Sequence, residues 1–209
     1  MPLVRRPARP LALGILAALP GVALAALGSH HPTFLAYPTA HHWWTVHLAA
    51  LFVFPLLPLA LFLTLRGRLR ANPVVVVVAA VGAYVYATAY TALDVLSGIG
   101  AGYVVDRLGP GELRPQAVNL VFEIGGRMET VGGWAIVVLT LAVAVDVLPR
   151  LGIAALPAVA AIVGGALVHR AEHLYWPEGA LACLAIGLGT GVLVALHERQ
   201  REQSSARLG

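Results

Sequence analysis

The sequence contains no lysine and a single cysteine, Cys183, and charged residues make up only 11% of its 209 residues. One cysteine excludes a disulfide within the chain, so cysteine usage does not reveal the compartment. The net charge of +4 is carried by arginine alone, a compositional bias that gives no reason to expect a nucleic-acid partner. Apolar residues dominate instead: 59% of the chain is hydrophobic and the mean hydropathy is +0.81, far above that of a soluble domain.

The apolar residues form runs of the length that a membrane-spanning helix requires. A helix needs about 20 apolar residues to cross about 30 Å of hydrocarbon, whereas the strands of a membrane barrel would alternate polar and apolar residues. The sequence therefore predicts an all-α polytopic transmembrane helix bundle that forms one domain over residues 1–209. Six spans are predicted, at residues 11–27, 46–65, 74–97, 131–148, 151–168 and 178–195, followed by a solvated tail at residues 198–209.

If the chain crosses six times, the arginines that flank the spans fall on one side of the membrane. These are Arg5, Arg6, Arg9, Arg66, Arg68, Arg70, Arg150, Arg199, Arg201 and Arg207. The positive-inside rule then predicts a multi-pass protein of the cell inner (cytoplasmic) membrane with both termini in the cytoplasm. The opening MPLVRRPARP and the apolar run behind it also fit a signal peptide, but the length of the run favours a retained helix.

The region between spans three and four is too long to lie in the membrane. A continuous helix over residues 74–105 would measure about 48 Å, well beyond the hydrocarbon thickness. The segment RLGPGELRP at residues 107–115 contains glycines and prolines that cannot continue a helix. We therefore expect an outer cap between spans three and four, formed by residues 98–130.

Five of the eight histidines lie in the stretch SHHPTFLAYPTAHHWWTVH, residues 29–47. Two histidine pairs in it are expected to be solvated loop residues: His30, His31, His41 and His42. All four tryptophans fall at predicted outer boundaries and are expected to form an aromatic belt: Trp43, Trp44, Trp134 and Trp176. Of this stretch, only His47 is expected to reach a site within the bundle.

The segment HRAEH, from His169 to His173, lies at the predicted outer end of span five. Residues four apart share a helix face, so both imidazoles could bind one ion. The segment also matches the H-x-x-E-H string of one metallopeptidase class, but the rest of that motif is missing. The pattern predicts a transition-metal site formed by His47, His169 and His173, with Asp94 or Glu129 as a carboxylate ligand.

Haem is the alternative cofactor for the same histidines. His47 and one of the two span-five histidines, His169 or His173, would be its axial ligands, and Arg127 or Arg170 would face its propionates. Histidines that lie at the membrane boundary and are simply hydrogen-bonded remain a third interpretation, because amphipathic side chains are common there. Composition does not choose among the three.

Three residues of span three, Tyr86, Tyr90 and Asp94, recur at every fourth position and so share one helix face. This stripe is typical either of a path for protons or substrate that leads inward from Asp94, or of ordinary helix packing. In an enzyme that acts on a lipid or isoprenoid, the acid and base candidates are Asp94, Glu123 and Glu129.

Three stretches, HPTFLAYP, ALDVLSGIGAG and HLYWPEGALA, together resemble a pattern found in small, uncharacterised multi-span membrane proteins of high-GC bacteria. The resemblance implies a bacterial integral membrane protein and carries no known activity. It favours His31, Asp94 and His173 as the positions to test.

Three classes of function remain open at this point, and the sequence does not decide whether the chain is an enzyme. The first is binding of a transition metal or haem by a histidine and carboxylate cluster at the outer face. The second is catalysis on a lipid or isoprenoid. The third is a non-catalytic accessory or transporter subunit. In each class the lipid bilayer is a partner, and assembly into a homo-oligomer or a membrane complex is compatible with the sequence.

Overall fold

The computed structural model of the protein describes residues 8–111 and 114–208. These residues are largely helical and include no strand, which confirms the predicted all-α class. Their α-helices are α1 (Ala8–Ser29), α2 (Tyr37–Val53), α3 (Leu56–Phe62), α4 (Pro73–Leu93), α5 (Ala101–Leu108), α6 (Gln116–Leu151), α7 (Leu156–Glu172) and α8 (Glu178–Leu208). Some predicted features lie outside the described residues: Arg5 and Arg6, Glu112 and Leu113 of the turn segment, and Gly209 of the tail.

Five helical stretches are long and apolar enough to cross a membrane: Arg9–Ser29, Tyr37–Leu65, Pro73–Leu108, Gln116–Glu172 and Glu178–Ala206. Their length and composition confirm that the chain has membrane-type helices. Large apolar side chains on their outer faces are exposed, among them Phe52, Val74 and Ile153. Such a surface is expected where side chains face lipid, because a water-soluble protein rarely exposes apolar patches of this extent.

The stretch Gln116–Glu172 consists of two helices that fold back on each other. Gly152 follows α6 with a φ of 65°, a conformation that glycine adopts without strain, and a short 3₁₀ turn leads from it into α7. Gly133 of α6 lies against the side chain of Arg170 in α7, so the two helices run antiparallel. The predicted spans 131–148 and 151–168 would place the reversal at residues 149–150, but α6 continues through Pro149 to Leu151, so the chain reverses after that residue.

The segment predicted as a cap is helical on both sides of its break. α5 ends at Leu108, where Gly109 has a φ of 90°, and α6 begins directly after Pro115. α2 also begins earlier than the predicted span, at Tyr37. A small apolar core joins the first turns of α2 to α5 and to the start of α6, and it contains Leu35, Ala40, Trp43, Ala101, Val105 and Val118.

Small residues hold α1 and α8 in close contact. Gly14, Gly21 and Gly28 recur at every seventh position of α1 and face α8 or the loop before it. A Cβ on Gly21 would lie 2.5 Å from the Cα of Gly187, so neither helix could keep its position with a larger residue there. Close approach through small residues is the usual basis of helix pairing in membranes, where lipid removes the hydrophobic drive for association.

Buried polar side chains concentrate in two regions of the bundle. One contains His31, His47 and His173, which lie near the end of α1, in α2 and directly after α7. The other contains Asp146 near the end of α6 and His197 in the second half of α8. Along α8, the rise from Glu178 to His197 is about 28 Å, close to the hydrocarbon thickness. The two polar regions therefore lie towards opposite ends of the bundle.

Candidate metal centre

Three histidines from separate parts of the chain converge in one buried cluster. His31, His47 and His173 are 7%, 4% and 6% exposed, and one ligand nitrogen from each lies within 4.8 Å of the other two. His47 was predicted to reach such a site, and so was His173. His31 was expected to be a solvated loop residue, and that expectation is wrong, whereas the other three paired histidines are exposed.

Hydrogen bonds to backbone carbonyls fix the proton positions on two of the rings. Nδ1 of His31 lies 2.7 Å from the Pro32 oxygen, and Nδ1 of His47 lies 2.8 Å from the Trp43 oxygen. A carbonyl oxygen can only accept, so both Nδ1 atoms must carry the hydrogen and donate it. In the neutral rings, the lone pair is then on Nε2, which is the arrangement typical of histidines that bind a metal.

The two Nε2 atoms face each other at 3.3 Å. Two lone pairs at this separation in a buried site repel each other, whereas a cation next to both would attract both. Two nitrogen ligands on one tetrahedral ion, each about 2.0–2.1 Å from it, lie about 3.3 Å apart. The His31 and His47 nitrogens already have the separation that a shared metal ion requires.

His173 occupies an unusual backbone conformation at the end of α7. Its φ is 50° and its ψ is −123°, in a region that residues with a side chain rarely adopt. Strain of this kind is found preferentially at functional sites, where the surrounding structure enforces it. Nδ1 of His173 is buried and makes no hydrogen bond to the described residues, and Oε1 of Glu129 lies 3.9 Å from it.

Two histidines of the cluster, His31 and His173, lie outside the membrane-type helices, and both are neutral near pH 7. Burial lowers the pKa of His31 to about 4, although its hydrogen bond to Pro32 acts in the opposite direction. Burial also lowers the pKa of His173 well below its usual value, and the neighbouring histidines lower it further. Only a neutral imidazole has a free nitrogen lone pair for a metal, so burial favours the form that acts as a ligand.

His169 is held by hydrogen bonds at both ring nitrogens. Nδ1 donates to the His173 oxygen at 2.8 Å, and Nε2 accepts from the Tyr86 hydroxyl at 3.1 Å. His169 and His173 were predicted to share a helix face and one ion, but α7 ends at Glu172, so His173 leaves that face. The structure instead places His169 where it fixes the backbone that carries His173.

An irregular stretch of helix accommodates the ring of His47. Residues Asp94–Gly100 form a π-helix between α4 and α5, a feature often found at functional sites. Gly98 lies directly against the His47 ring, and a Cβ at that position would overlap the ring atoms. The backbone carbonyl oxygen of Ser97, in the same segment, accepts a hydrogen bond from the indole N–H of Trp43 at 3.0 Å. Trp43 is 3% exposed, so it does not face lipid as a member of the predicted aromatic belt would.

Aromatic side chains enclose the cluster. The rings of Trp43 and Tyr175 each lie edge-on to the His31 ring, with centroids 4.9 Å apart. Phe54 and Tyr90 stack on the His173 ring at 5.9 and 5.7 Å. These contacts restrict the imidazole orientations and exclude water, which strengthens any electrostatic interaction at the site.

The acidic and basic candidates lie in different positions around this cluster. Asp94 is completely buried, yet it is not among the side chains whose ligand atoms converge, and neither of its oxygens has a hydrogen-bond partner among the described residues. Glu129 lies beside His173. Glu123 and Arg127, both exposed on α6, are not part of the cluster.

A haem iron does not fit between His47 and His173 in this arrangement. Axial nitrogens on opposite sides of one iron lie about 4 Å apart, with the porphyrin filling the plane between them. Here Nε2 of His31 is 3.3 Å from Nε2 of His47. The centroid of the His31 ring is 6.1 Å from the centroid of the His173 ring. The His31 ring would have to leave for a porphyrin to enter.

His31 is the site residue that the sequence pattern wrongly predicted to lie in a solvated loop. It lies in the short connection after α1, where no helical periodicity indicates whether a side chain is buried. The resemblance of HPTFLAYP did favour it as a position to test.

Comparisons with protein families, curated proteins and solved structures found no match for this chain.

Proposed function

We propose that this chain is a multi-span membrane protein that binds one transition-metal ion through His31, His47 and His173. The observation that carries the proposal is the pair of Nε2 atoms 3.3 Å apart, each left with its lone pair by an Nδ1–H that donates to a carbonyl. Three histidine ligands leave a fourth position for water or a substrate, the pattern of reactive zinc sites rather than structural ones.

The donor set favours a metal that accepts imidazole. Zinc, copper(II), nickel and iron(II) all do so, whereas copper(I) prefers thiolate or thioether sulfur. The single cysteine, Cys183, lies against His169 rather than the cluster, with its Sγ 3.5 Å from Nδ1 of that histidine. Glu129 would act as the carboxylate that orients His173 and increases its basicity, a common arrangement around metal-bound histidine.

Metal analysis of the purified protein tests the proposal. The protein should contain one transition-metal ion per chain, and Co²⁺ added to the metal-free form should give the visible absorption of a tetrahedral site. His31→Ala, His47→Ala and His173→Ala should each weaken metal affinity more than about 100-fold, because even loss of an orienting group costs 10- to 100-fold. The control is His30→Ala, which alters an exposed neighbour of His31. Equal metal content in all four variants would refute the site.

The proposed topology has six crossings, both termini in the cytoplasm, and the three-histidine cluster under a cap at the outer face of the inner membrane. The antiparallel pairing of α6 and α7 supports two crossings within Gln116–Glu172. The distribution of arginines supports the orientation. Reporter fusions should alternate, beginning outside, at Gly28, Arg70, Gly111, Arg150 and Pro177 and at the C-terminus. A cytoplasmic signal at Gly111 would contradict the shared outer site.

A second candidate function, catalysis on a lipid or isoprenoid, is favoured by one observation. Both carboxylate oxygens of Asp94 and the hydroxyl of Tyr90, one helical turn away, are buried without hydrogen-bond partners among the described residues. Such groups are costly in a membrane protein unless they serve a ligand. Asp94→Asn should then abolish the retention of a bound lipid, measured by mass spectrometry, while the metal content stays unchanged. Unchanged lipid would exclude this function.

A further inference from the structure

A second polar site lies at the opposite end of the bundle from the histidine cluster. A cavity of about 460 Å³ is located between the turn after α3, the end of α6 and the second half of α8. Its lining is strongly basic and includes Arg66, Arg68, Arg150, His197, Arg201 and Ser204. None of these residues belongs to the proposed metal centre.

Ion pairs within this region leave an excess of positive charge. Asp146 accepts from Arg68 at 3.0 Å and from Arg150 at 2.9 Å, and Glu198 accepts from Arg201 at 3.1 Å. Four arginines therefore face two carboxylates, which leaves two positive charges uncompensated. Arg66 forms no ion pair within the described part of the chain.

Several hydrogen-bond donors at the cavity are unused. Arg150 uses four of its five N–H donors, on Asp146, His197, Gln200 and the backbone carbonyl oxygen of Thr64. Arg68, in contrast, donates only through Nε, so its two Nη groups make no hydrogen bond to the described residues. Arginine forks of this kind match the oxygen geometry of phosphate.

His197 adds a buried donor to the lining. Its Nδ1 accepts from Arg150 Nη1 at 2.9 Å, so the neutral ring carries its hydrogen on Nε2. The side chain is only 3% exposed, and Nε2 makes no hydrogen bond of normal geometry to the described residues, although the backbone of Arg66 lies close to it. A buried N–H without an acceptor is costly, and an anion in the cavity would provide one.

We propose that this cavity binds a phosphate group, with the headgroup of an anionic phospholipid as its source. Basic pockets between membrane helices recognise such headgroups. The exposed apolar side chains of Leu63 and Leu69 flank the arginine segment and would contact the acyl chains. Arg68 and Arg150 form the fixed part of the site because Asp146 holds both. Arg66, which has no ion pair within the described residues, and Arg201, which pairs only with Glu198, supply the remaining positive charge.

The test compares two phosphate sources on the full-length protein. Retained phosphatidylglycerol is measured by native mass spectrometry after exchange from mixed phosphatidylglycerol and phosphatidylcholine nanodiscs. Inorganic phosphate is titrated in detergent against chloride of equal ionic strength, with the unfolding temperature as readout. The test variant is Arg66→Gln with Arg201→Gln. The matched control is Arg70→Gln, which removes an exposed arginine of the same turn that does not line the cavity.

Removal of Arg66 and Arg201, which line the cavity, should weaken phosphatidylglycerol binding about 30-fold. Arg70→Gln should leave it within about twofold, because Arg70 does not line the cavity. Phosphate binding that needs Arg66 and Arg201, without retained phosphatidylglycerol, would support the site and assign it a soluble source. The proposal is overturned if both probes bind the double variant as tightly as they bind the unmodified protein. It is also overturned if neither probe binds the unmodified protein. Arg66→Gln alone, expected to cost about fivefold, replaces the double variant if the latter misfolds. Metal content, which should not change, shows separately whether the histidine site is intact.

Discussion

His173 combines two roles in one residue: a ligand side chain and a strained backbone. At a φ of 50° any side chain with a Cβ is unfavourable, and glycine is not. The metal-free His173→Gly variant should therefore be more stable than His173→Ala, by about 1 kcal/mol or more, while both lose the metal equally. Thermal unfolding in a chelator, combined with metal analysis, measures the two effects separately.

His47 provides the control for this comparison, because it lies inside α2. There glycine should be less stable than alanine by about 1 kcal/mol, which reverses the order. If the same order appears at both positions, the stability difference does not come from the backbone of His173.

Tyr86 and Tyr90 lie one helical turn apart on α4 and are both completely buried, yet their hydroxyls differ. The Tyr86 hydroxyl donates to His169 Nε2 at 3.1 Å, whereas the Tyr90 hydroxyl has no partner among the described residues. Tyr86→Phe should cost about 1–3 kcal/mol of unfolding free energy, because it leaves a buried acceptor unpaired. Tyr90→Phe should cost nothing measurable in the lipid-free protein.

Chemical denaturation of both variants in the same detergent makes this comparison. The effect of Tyr86→Phe on the metal should be smaller than that of a lost ligand, at about 10- to 100-fold in affinity, because Tyr86 acts through His169 and the His173 backbone. A Tyr90→Phe variant as unstable as Tyr86→Phe would mean that the Tyr90 hydroxyl has a partner.

Among the elements, the pair of α1 and α8 is the most sensitive to residue size. A Cβ on Gly21 would lie 2.5 Å from the Gly187 Cα and 2.6 Å from its nitrogen, and backbone atoms cannot rotate away as a side chain can. Gly21→Ala should cost about 1–3 kcal/mol through overpacking. It should also weaken metal binding, since the end of α1 leads directly to His31.

Gly164→Ala in α7 is the matched control, because a Cβ there would meet no atom within 4 Å. In a helix interior alanine is favoured over glycine by about 1 kcal/mol, so this variant should be as stable as the parent or more so. Unfolding midpoints and cobalt titrations of both variants give the result, and equal behaviour would argue against a tight seam between α1 and α8.

At the scale of the whole molecule, a bound metal would join the connection after α1, the middle of α2 and the end of α7. Anything that binds only the folded state stabilises it, by about 2.7 kcal/mol when its concentration is 100 times Kd. Chelation should therefore lower the unfolding temperature of the intact protein, and readdition of the metal should restore it. His47→Ala should show no response to the chelator, and a response as large as that of the parent would place the stabilising metal elsewhere.

The sequence alone determined the class of this protein. Apolar runs of about 20 residues identify membrane helices because hydrocarbon thickness sets their length, and this relation needs no tertiary information. The interruption between α5 and α6 was also predictable, since glycine and proline act locally on the backbone. Helical spacing in the sequence and the cost of burying charged groups in a membrane drew attention to His47, His173 and Asp94.

Only the tertiary structure decided which side chains meet. His31 joins His47 and His173 from a short connection without periodicity, while His169, four residues from His173, is held by Tyr86 and by the His173 backbone. The reason is that helix pairing brings distant segments together, and that the end of α7 at Glu172 turns His173 away from the helix face. Sequence spacing reports neighbours along one helix, whereas a metal site needs ligands that converge from several elements.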